Sequence, residues 1–202
     1  SLLLLFTSKE NTCYYAKVLD HHGEIAVDIL ADMFFNSLFT KEDIAKIVER
    51  LGKEITEDYK DKKLMIVGVL KGSVVFMADL MRKIDLKCKI DFMAISSYGN
   101  GTRSGKLRVI KDLQEDIAGY DVLVIEDILD SGKTLSHLTE MLRLREPKSL
   151  KICAFFDKPD RRETDIKADY VGAQIPDKFI VGYGLDFAEE YRNLEYVGVL
   201  KP

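Results

Sequence analysis

Residues 121–134, Asp-Val-Leu-Val-Ile-Glu-Asp-Ile-Leu-Asp-Ser-Gly-Lys-Thr, limit the choice of fold more than any other stretch of the chain. Val122 to Ile125 is an apolar run. Glu126, Asp127 and Asp130 follow within five residues, and Ser131-Gly132-Lys133-Thr134 opens a helix. A buried strand that ends in carboxylates and feeds a glycine turn belongs to an open α/β sheet, where ligands bind at the carboxyl ends of the strands. Ser131 to Thr134 offer hydroxyls, glycine backbone and consecutive N–H groups at a helix start, which suit a phosphate dianion. Glu126 and Asp127 repel phosphate. They suit the hydroxyls of a sugar, or a hard cation such as Mg²⁺ held through oxygen. A sugar phosphate with free hydroxyls and a metal-bound diphosphate satisfies both halves. Asp130 lies between them, placed for proton transfer.

Two plainer readings fail. Gly132-Lys133-Thr134 gives the ending of a Walker A loop, but that motif needs glycine where Asp127 stands, and a carboxylate would sit in the phosphate cradle. An acidic N-cap needs one acid, not three.

A second strand–glycine–helix unit precedes this one. Leu64 to Leu70 is a continuous apolar run, read as a strand buried on both faces. Lys71-Gly72-Ser73 turns it into a helix through Ile84, and its N–H groups can hold a second anion. Upstream, Thr40 to Asp43 is a capping-box variant opening an amphipathic helix with Ile44, Ile47, Val48 and Leu51 on one face. Gly52 interrupts that helix, and the chain stays polar to Lys63. Lys89 to Ser96 alternates, with Ile90, Phe92 and Ala94 on one side, as a strand does. Ser97 to Lys106 holds three glycines and no aliphatic residue, and reads as a lid rather than a plain hairpin turn. Leu107 to Lys111 is the returning strand. Thr134 to Arg145 is helical up to Glu146-Pro147, with His137 at the surface. Leu150 to Phe156 is a further strand that delivers Asp157-Lys158-Pro159, where spacing alone favours an exposed turn lysine. Residues 160–168 are charged and loop-like. Tyr170 to Gly172 and Tyr196 to Leu200 are short strands, and Gly182 and Gly184 allow close backbone approach.

A chain of 202 residues with 32% charged residues and a net charge of −4 fits one α/β domain, and its field favours neither nucleic acid nor anionic membrane. Cys13, Cys88 and Cys153 match no disulfide framework and no zinc spacing, and Cys88 and Cys153 read as core, which fits a reducing cytoplasm. Residues 1–35 read as an N-terminal extension of unassigned role. Leu2 to Phe6 is too short for a membrane span and lacks the flanks of a signal peptide, and His21-His22 reads as solvated.

The 121–134 stretch resembles the phosphoribosyl-pyrophosphate signature of type I phosphoribosyltransferases, and residues 36–202 resemble the hypoxanthine-guanine branch of that family. The resemblance implies an α/β fold with a mainly parallel core sheet flanked by helices, and a small hood made from segments after residue 150. It implies transfer of the 5-phosphoribosyl group of phosphoribosyl pyrophosphate to N9 of hypoxanthine or guanine, in cytoplasmic purine salvage, by a Mg²⁺-dependent homo-oligomer. In that family the Leu70–Lys71–Gly72 loop binds pyrophosphate, with an unusual cis peptide before Lys71. Ser97 and Tyr98 belong to the flexible catalytic loop. Glu126 and Asp127 orient the ribose hydroxyls or the metal, and Ser131, Gly132, Lys133 and Thr134 anchor the 5-phosphate. Asp130 handles the proton at purine N7. Lys158 reads the 6-oxo group, Phe179 stacks on the base, and the backbone of Ile180 bonds its edge. Asp186 lies near a second metal, and Arg192 contacts pyrophosphate.

Two rivals remain at this level. One is a regulator that senses phosphoribosyl pyrophosphate and binds nucleic acid; it calls for a basic face and a degraded base pocket, against the net charge of −4 and the retained Lys158, Phe179 and Asp186. The other is an enzyme preferring xanthine or guanine, which the residues do not rank.

Overall fold

The computed structural model describes residues 2–7, 12–17, 37–98 and 106–200. An antiparallel pair, β1 (Leu2–Thr7) and β2 (Thr12–Lys17), comes first. The second of these strands lies where the sequence shows no clean periodicity. The body of the chain then runs β3 (Ser37–Phe39), α1 (Lys41–Asp58), β4 (Leu64–Leu70), α2 (Ser73–Met81), β5 (Cys88–Tyr98), β6 (Lys106–Lys111), β7 (Asp121–Leu129), α3 (Lys133–Arg143), β8 (Ser149–Asp157), β9 (Tyr170–Gln174), β10 (Ile180–Val181) and β11 (Val197–Val199).

The core is a six-stranded sheet in the order β6-β5-β4-β7-β8-β9. All its pairings are parallel except β5 with β6. The apolar runs of β4 and β7 are continuous because both faces of the sheet are covered. Ile66, Leu123 and Ile125 point into one core with Val48, Leu51 and Ile55 of α1 and Phe76 and Leu80 of α2. Met65, Val67, Val122 and Val124 point into the other with Leu135, Leu138 and Leu142 of α3. From β4 the chain moves to β5 on one side and later to β7 on the other. The strand order therefore reverses between β4 and β7, the place where such sheets open a crevice at their carboxyl ends.

Two local expectations change. Gly52 does not interrupt α1, which continues to Asp58. The glycine is there for packing: a Cβ at Gly52 would lie 2.5 Å from the Cβ of Lys83, so the end of the α2 segment can approach only a bare backbone. In β5 the deeply buried side is that of Asp91 and Met93, while Ile90 is exposed. Asp91 tolerates burial because Lys111 Nζ donates to it at 3.1 Å and the Gln114 N–H at 2.6 Å. The hood also differs in composition. It is a three-stranded sheet, β10-β11-β3, so it recruits Ser37–Phe39 from before the core, whereas β8 and β9 belong to the main sheet.

Candidate active site

The three α-helices among the described residues begin in two different ways. At α1, far from the crevice, Thr40 Oγ1 accepts from the Asp43 N–H at 3.2 Å and Asp43 Oδ2 accepts from the Thr40 N–H at 3.3 Å. That box satisfies the helix end internally. Helices α2 and α3 start from Gly72 and Gly132 with no side-chain cap. The first-turn N–H groups of a helix have no intrahelical acceptor. Both uncapped ends follow directly on strands β4 and β7, which lie side by side, and so present two anion-binding positions to one crevice. Gly132 reaches its place in a left-handed conformation, φ 82°, and a Cβ there would strike Thr164 Oγ1 at 2.4 Å.

The carboxylates fill the space between. The β4–α2 turn contains the Leu70–Lys71 peptide, which is cis, as the family resemblance implies. Asp127 lies so close to Gly72 that a Cβ on the glycine would fall 1.6 Å from Asp127 Oδ2. Burial pushes the Asp127 carboxyl up to about 6, against the opposing pull of the Ile128 N–H and the Arg192 charge. Burial, with Asp127 alongside, pushes Glu126 well above the usual carboxylate range. Glu126 Oε2 is buried and accepts no hydrogen bond. A buried acid pair with an orphaned oxygen is short of positive charge or of hydroxyl donors. Those are the groups a ribose or a Mg²⁺ ion carries. Among the described residues no three His, Cys, Asp or Glu side chains close on one point as a resident metal cage. Carboxylate oxygens are ligands that a hard cation such as Mg²⁺ accepts.

The cationic side is formed by Lys71 and Arg192. Lys71 Nζ lies 3.0 Å from Glu189 Oε2. Arg192 donates to Gly184 O at 2.8 Å and pairs with Asp186 at 2.9 Å and Glu189 at 3.4 Å. Gly184 abuts the β4–α2 turn directly, since a Cβ on it would meet Gly72 O at 2.1 Å.

The third wall comes from β8 and the hood. The Lys158 N–H donates to Leu129 O at 3.0 Å, which sets Lys158 beside Asp130. Spacing alone suggests an exposed turn lysine, yet Lys158 is only 5% exposed. Its ammonium donates to Lys178 O at 2.9 Å and lies 3.6 Å from Asp177. Next along the chain, Phe179 leaves 54% of its surface open. Its ring meets Phe187 edge-on at 5.7 Å. Ile180 is buried opposite Val199 in the hood sheet, and Phe179 O accepts from the Leu200 N–H at 2.9 Å. The anticipated groups thus assemble at the ends of β4, β7 and β8 and along the hood. The expected lid ran from Ser97 to Lys106, but Ser97 and Tyr98 end β5 and Lys106 begins β6; the side chains of Ser97 and Tyr98, and residues 99–105, lie outside the described residues.

A model of the phosphoribosyl transferase domain matches residues 36–188. The chain belongs to the phosphoribosyltransferase family. Among curated relatives of this phosphoribosyltransferase, the hypoxanthine-guanine phosphoribosyltransferase of Bacillus subtilis (strain 168) is 55% identical over 166 residues, covering 82% of this chain and 92% of the relative. That of Staphylococcus aureus (strain Mu50) is 54% identical over 166 residues, covering 82% and 93%. A crystal structure of a hypoxanthine phosphoribosyltransferase from Staphylococcus aureus superposes with a TM-score of 0.80 at 53% identity, covering 83% of this chain and 92% of that one.

The turn that opens α3 has a buttress that motif reading passes over. Arg162 Nη2 binds Asp157 and reaches Leu129 O at 3.3 Å. The Glu163 N–H donates to Ser131 O at 2.9 Å, and Lys133 is ion-paired with Glu163. With the Lys133 ammonium engaged there, the backbone N–H groups of the turn are the donors best placed for a phosphate. Residues 160–168 read as an anonymous charged loop. The one available signal was a pair of arginines directly after a strand end and a proline.

Proposed function

We propose that this chain transfers the 5-phosphoribosyl group of phosphoribosyl pyrophosphate to N9 of hypoxanthine or guanine, giving IMP or GMP and pyrophosphate in purine salvage. Lys158 carries the reading. A buried ammonium is costly unless its donors are used. Lys178 O takes one of its three donors. A carbonyl oxygen on a ring lying over the open face of Phe179 would take another, and a 6-oxopurine supplies that oxygen while adenine supplies an amino group. The relatives at 54–55% identity, named hypoxanthine-guanine phosphoribosyltransferases, support the same substrate class.

The remaining roles follow from placement. The N–H groups at the start of α3, from Ser131 to Thr134, anchor the 5-phosphate and so fix the sugar while C1 moves toward the base. Glu126 and Asp127 accept from the ribose hydroxyls or hold Mg²⁺ with water and ligand oxygens. When bound, magnesium neutralises charge building on the departing pyrophosphate. Lys71, the Gly72 turn and Arg192 receive that pyrophosphate, which displaces Glu189 from its two cations. Asp186, held by Arg192, faces the same group. Asp130 accepts the proton of purine N7, and Lys158 stabilises the charge that gathers on O6. Ser97 and Tyr98 close the site against water, which would capture the sugar cation. We place this activity in the cytoplasm and in a homo-oligomer. Cys88 and Cys153 are free thiols, and among the described residues no helix is long and apolar enough to cross a membrane.

Steady-state rates with hypoxanthine, guanine, xanthine and adenine, side by side with phosphoribosyl pyrophosphate and Mg²⁺, test the proposal. Hypoxanthine and guanine should lead; adenine as the best acceptor would sink it.

A further inference from the structure

We infer that Arg161 is a positioning residue for Asp130, orienting its carboxylate against the purine; the inference rests on the role of Asp130 proposed above. Asp130 Oδ1 is buried and accepts no hydrogen bond. The Arg161 Nε lies 3.4 Å from that same oxygen. The other end of the guanidinium, Nη1, lies 3.6 Å from Asp177 Oδ1, which in turn lies 3.6 Å from Lys158 Nζ. Asp130, Arg161, Asp177 and Lys158 thus form a line of alternating charge across the base pocket, from the carboxylate at N7 to the ammonium at O6.

Arg161 is delivered rigidly. It ends a single 3₁₀ turn, Pro159–Arg161, whose proline fixes one backbone angle. The Arg161 N–H donates to Lys158 O at 3.3 Å and the Arg162 N–H to Pro159 O at 3.1 Å. The Arg162 side chain fastens the turn to Asp157 and Leu129 O. A carboxylate on a loop residue can rotate about two bonds. A fixed cation on Oδ1 leaves Oδ2 for the N7 proton and holds that orientation before the purine arrives. A purely structural role is a poor account, because the Arg161 and Asp177 side chains are 55% and 54% exposed, and ion pairs in that setting add little to stability.

Steady-state kinetics on Arg161→Ala test this, alone and in an Asp130→Asn background. The single variant should lose about ten-fold in kcat for hypoxanthine, with KM for phosphoribosyl pyrophosphate changed less than about two-fold. In the Asp130→Asn background the same change should cost less than about two-fold, because the partner it acts through has lost its charge. Arg161→Lys should recover part of the loss, and Arg161→Gln, which keeps the bulk of the side chain, should not. A wild-type kcat for Arg161→Ala, or equal losses in both backgrounds, would overturn the inference. If the parent enzyme transferred no phosphoribosyl group, or Asp130→Asn were as fast as the parent, the proposed function itself would fall. A slow Asp130→Asn beside an unimpaired Arg161→Ala sinks only the role of Arg161.

Discussion

Gly184→Ala is the sharpest test of how the hood positions the proposed pyrophosphate loop. Two costs can be separated from the structure. Gly184 has φ 98°, beyond the region a side-chain-bearing residue adopts without strain, which costs about 1–3 kcal/mol. On a domain of this size that lowers Tm by about 2–12 °C. The added Cβ would also stand 2.1 Å from Gly72 O, and opening this to an ordinary 3.4 Å contact moves the carbonyl by about 1.3 Å. Gly72 is the hinge of the proposed pyrophosphate turn and touches Asp127, so the shift falls on bound diphosphate. A displacement near 1 Å at a reacting group costs about 10²-fold. The loss should appear in kcat/KM for phosphoribosyl pyrophosphate, measured at saturating hypoxanthine alongside thermal melting. Gly119→Ala is the control. It has φ 75° but nothing within 4 Å of the added Cβ, so it should lower Tm modestly and leave the kinetics alone. Normal phosphoribosyl-pyrophosphate kinetics in a folded Gly184→Ala enzyme would refute the idea that the 182–185 turn sets the position of Gly72.

Asp130→Asn should lower turnover by about 10²–10⁴-fold with little change in substrate affinity, and a near-normal rate would remove Asp130 from the chemistry. Lys158→Ala removes a charged donor worth about 1.5–3 kcal/mol, so kcat/KM for the purine should fall about 10- to 150-fold while binding of phosphoribosyl pyrophosphate persists. Equal weakening of both ligands would point instead to a damaged fold. Away from the site, the Tyr170 hydroxyl, at 2.6 Å, and then the Lys151 ammonium hold Asp58 below the usual carboxylate range. Its contribution to stability is full above the unfolded value near 3.8 and is lost as pH falls through the lower folded one. The Tm gap between the parent and Asp58→Asn should therefore be widest near neutral pH and close in acid; a gap independent of pH would refute the pairing.

What the sequence reveals here depends on how local the physics is. The runs Leu64–Leu70 and Val122–Ile125 are legible as buried strands because burial on both faces removes every polar position. The glycine turns after them are legible because close packing at a helix start needs bare backbone. Gly52 misleads for the same reason: a glycine inside a periodic pattern reads as a break, and only the tertiary contact with Lys83 shows that it is a packing notch. Lys158 cannot be read as buried from its neighbours, since Lys178 O arrives from another segment, 20 residues on. Arg161 and Arg162 are invisible for a related reason. Apart from Asp157, five residues before Arg162, their partners, Asp130, Leu129 and Asp177, are set by the pairing of β7 with β8 and by the hood, not by spacing along the chain.

The composition of the hood has a mechanical consequence. Its middle strand, β11, lies beyond the end of the family match at residue 188, and its edge strand, β3, opens that match. The two are antiparallel, with Ser37 opposite Gly198 and Phe39 opposite Val197. Tension applied between residues 37 and 199 would load this short ladder one rung at a time, like a zipper, rather than shearing all its rungs together. The segment from Lys178 to Ile180, the proposed base side of the site, is tied to β11 through β10. Under load the proposed purine side should therefore open first, while the parallel β4–β7 seam beneath the proposed phosphate positions stays closed.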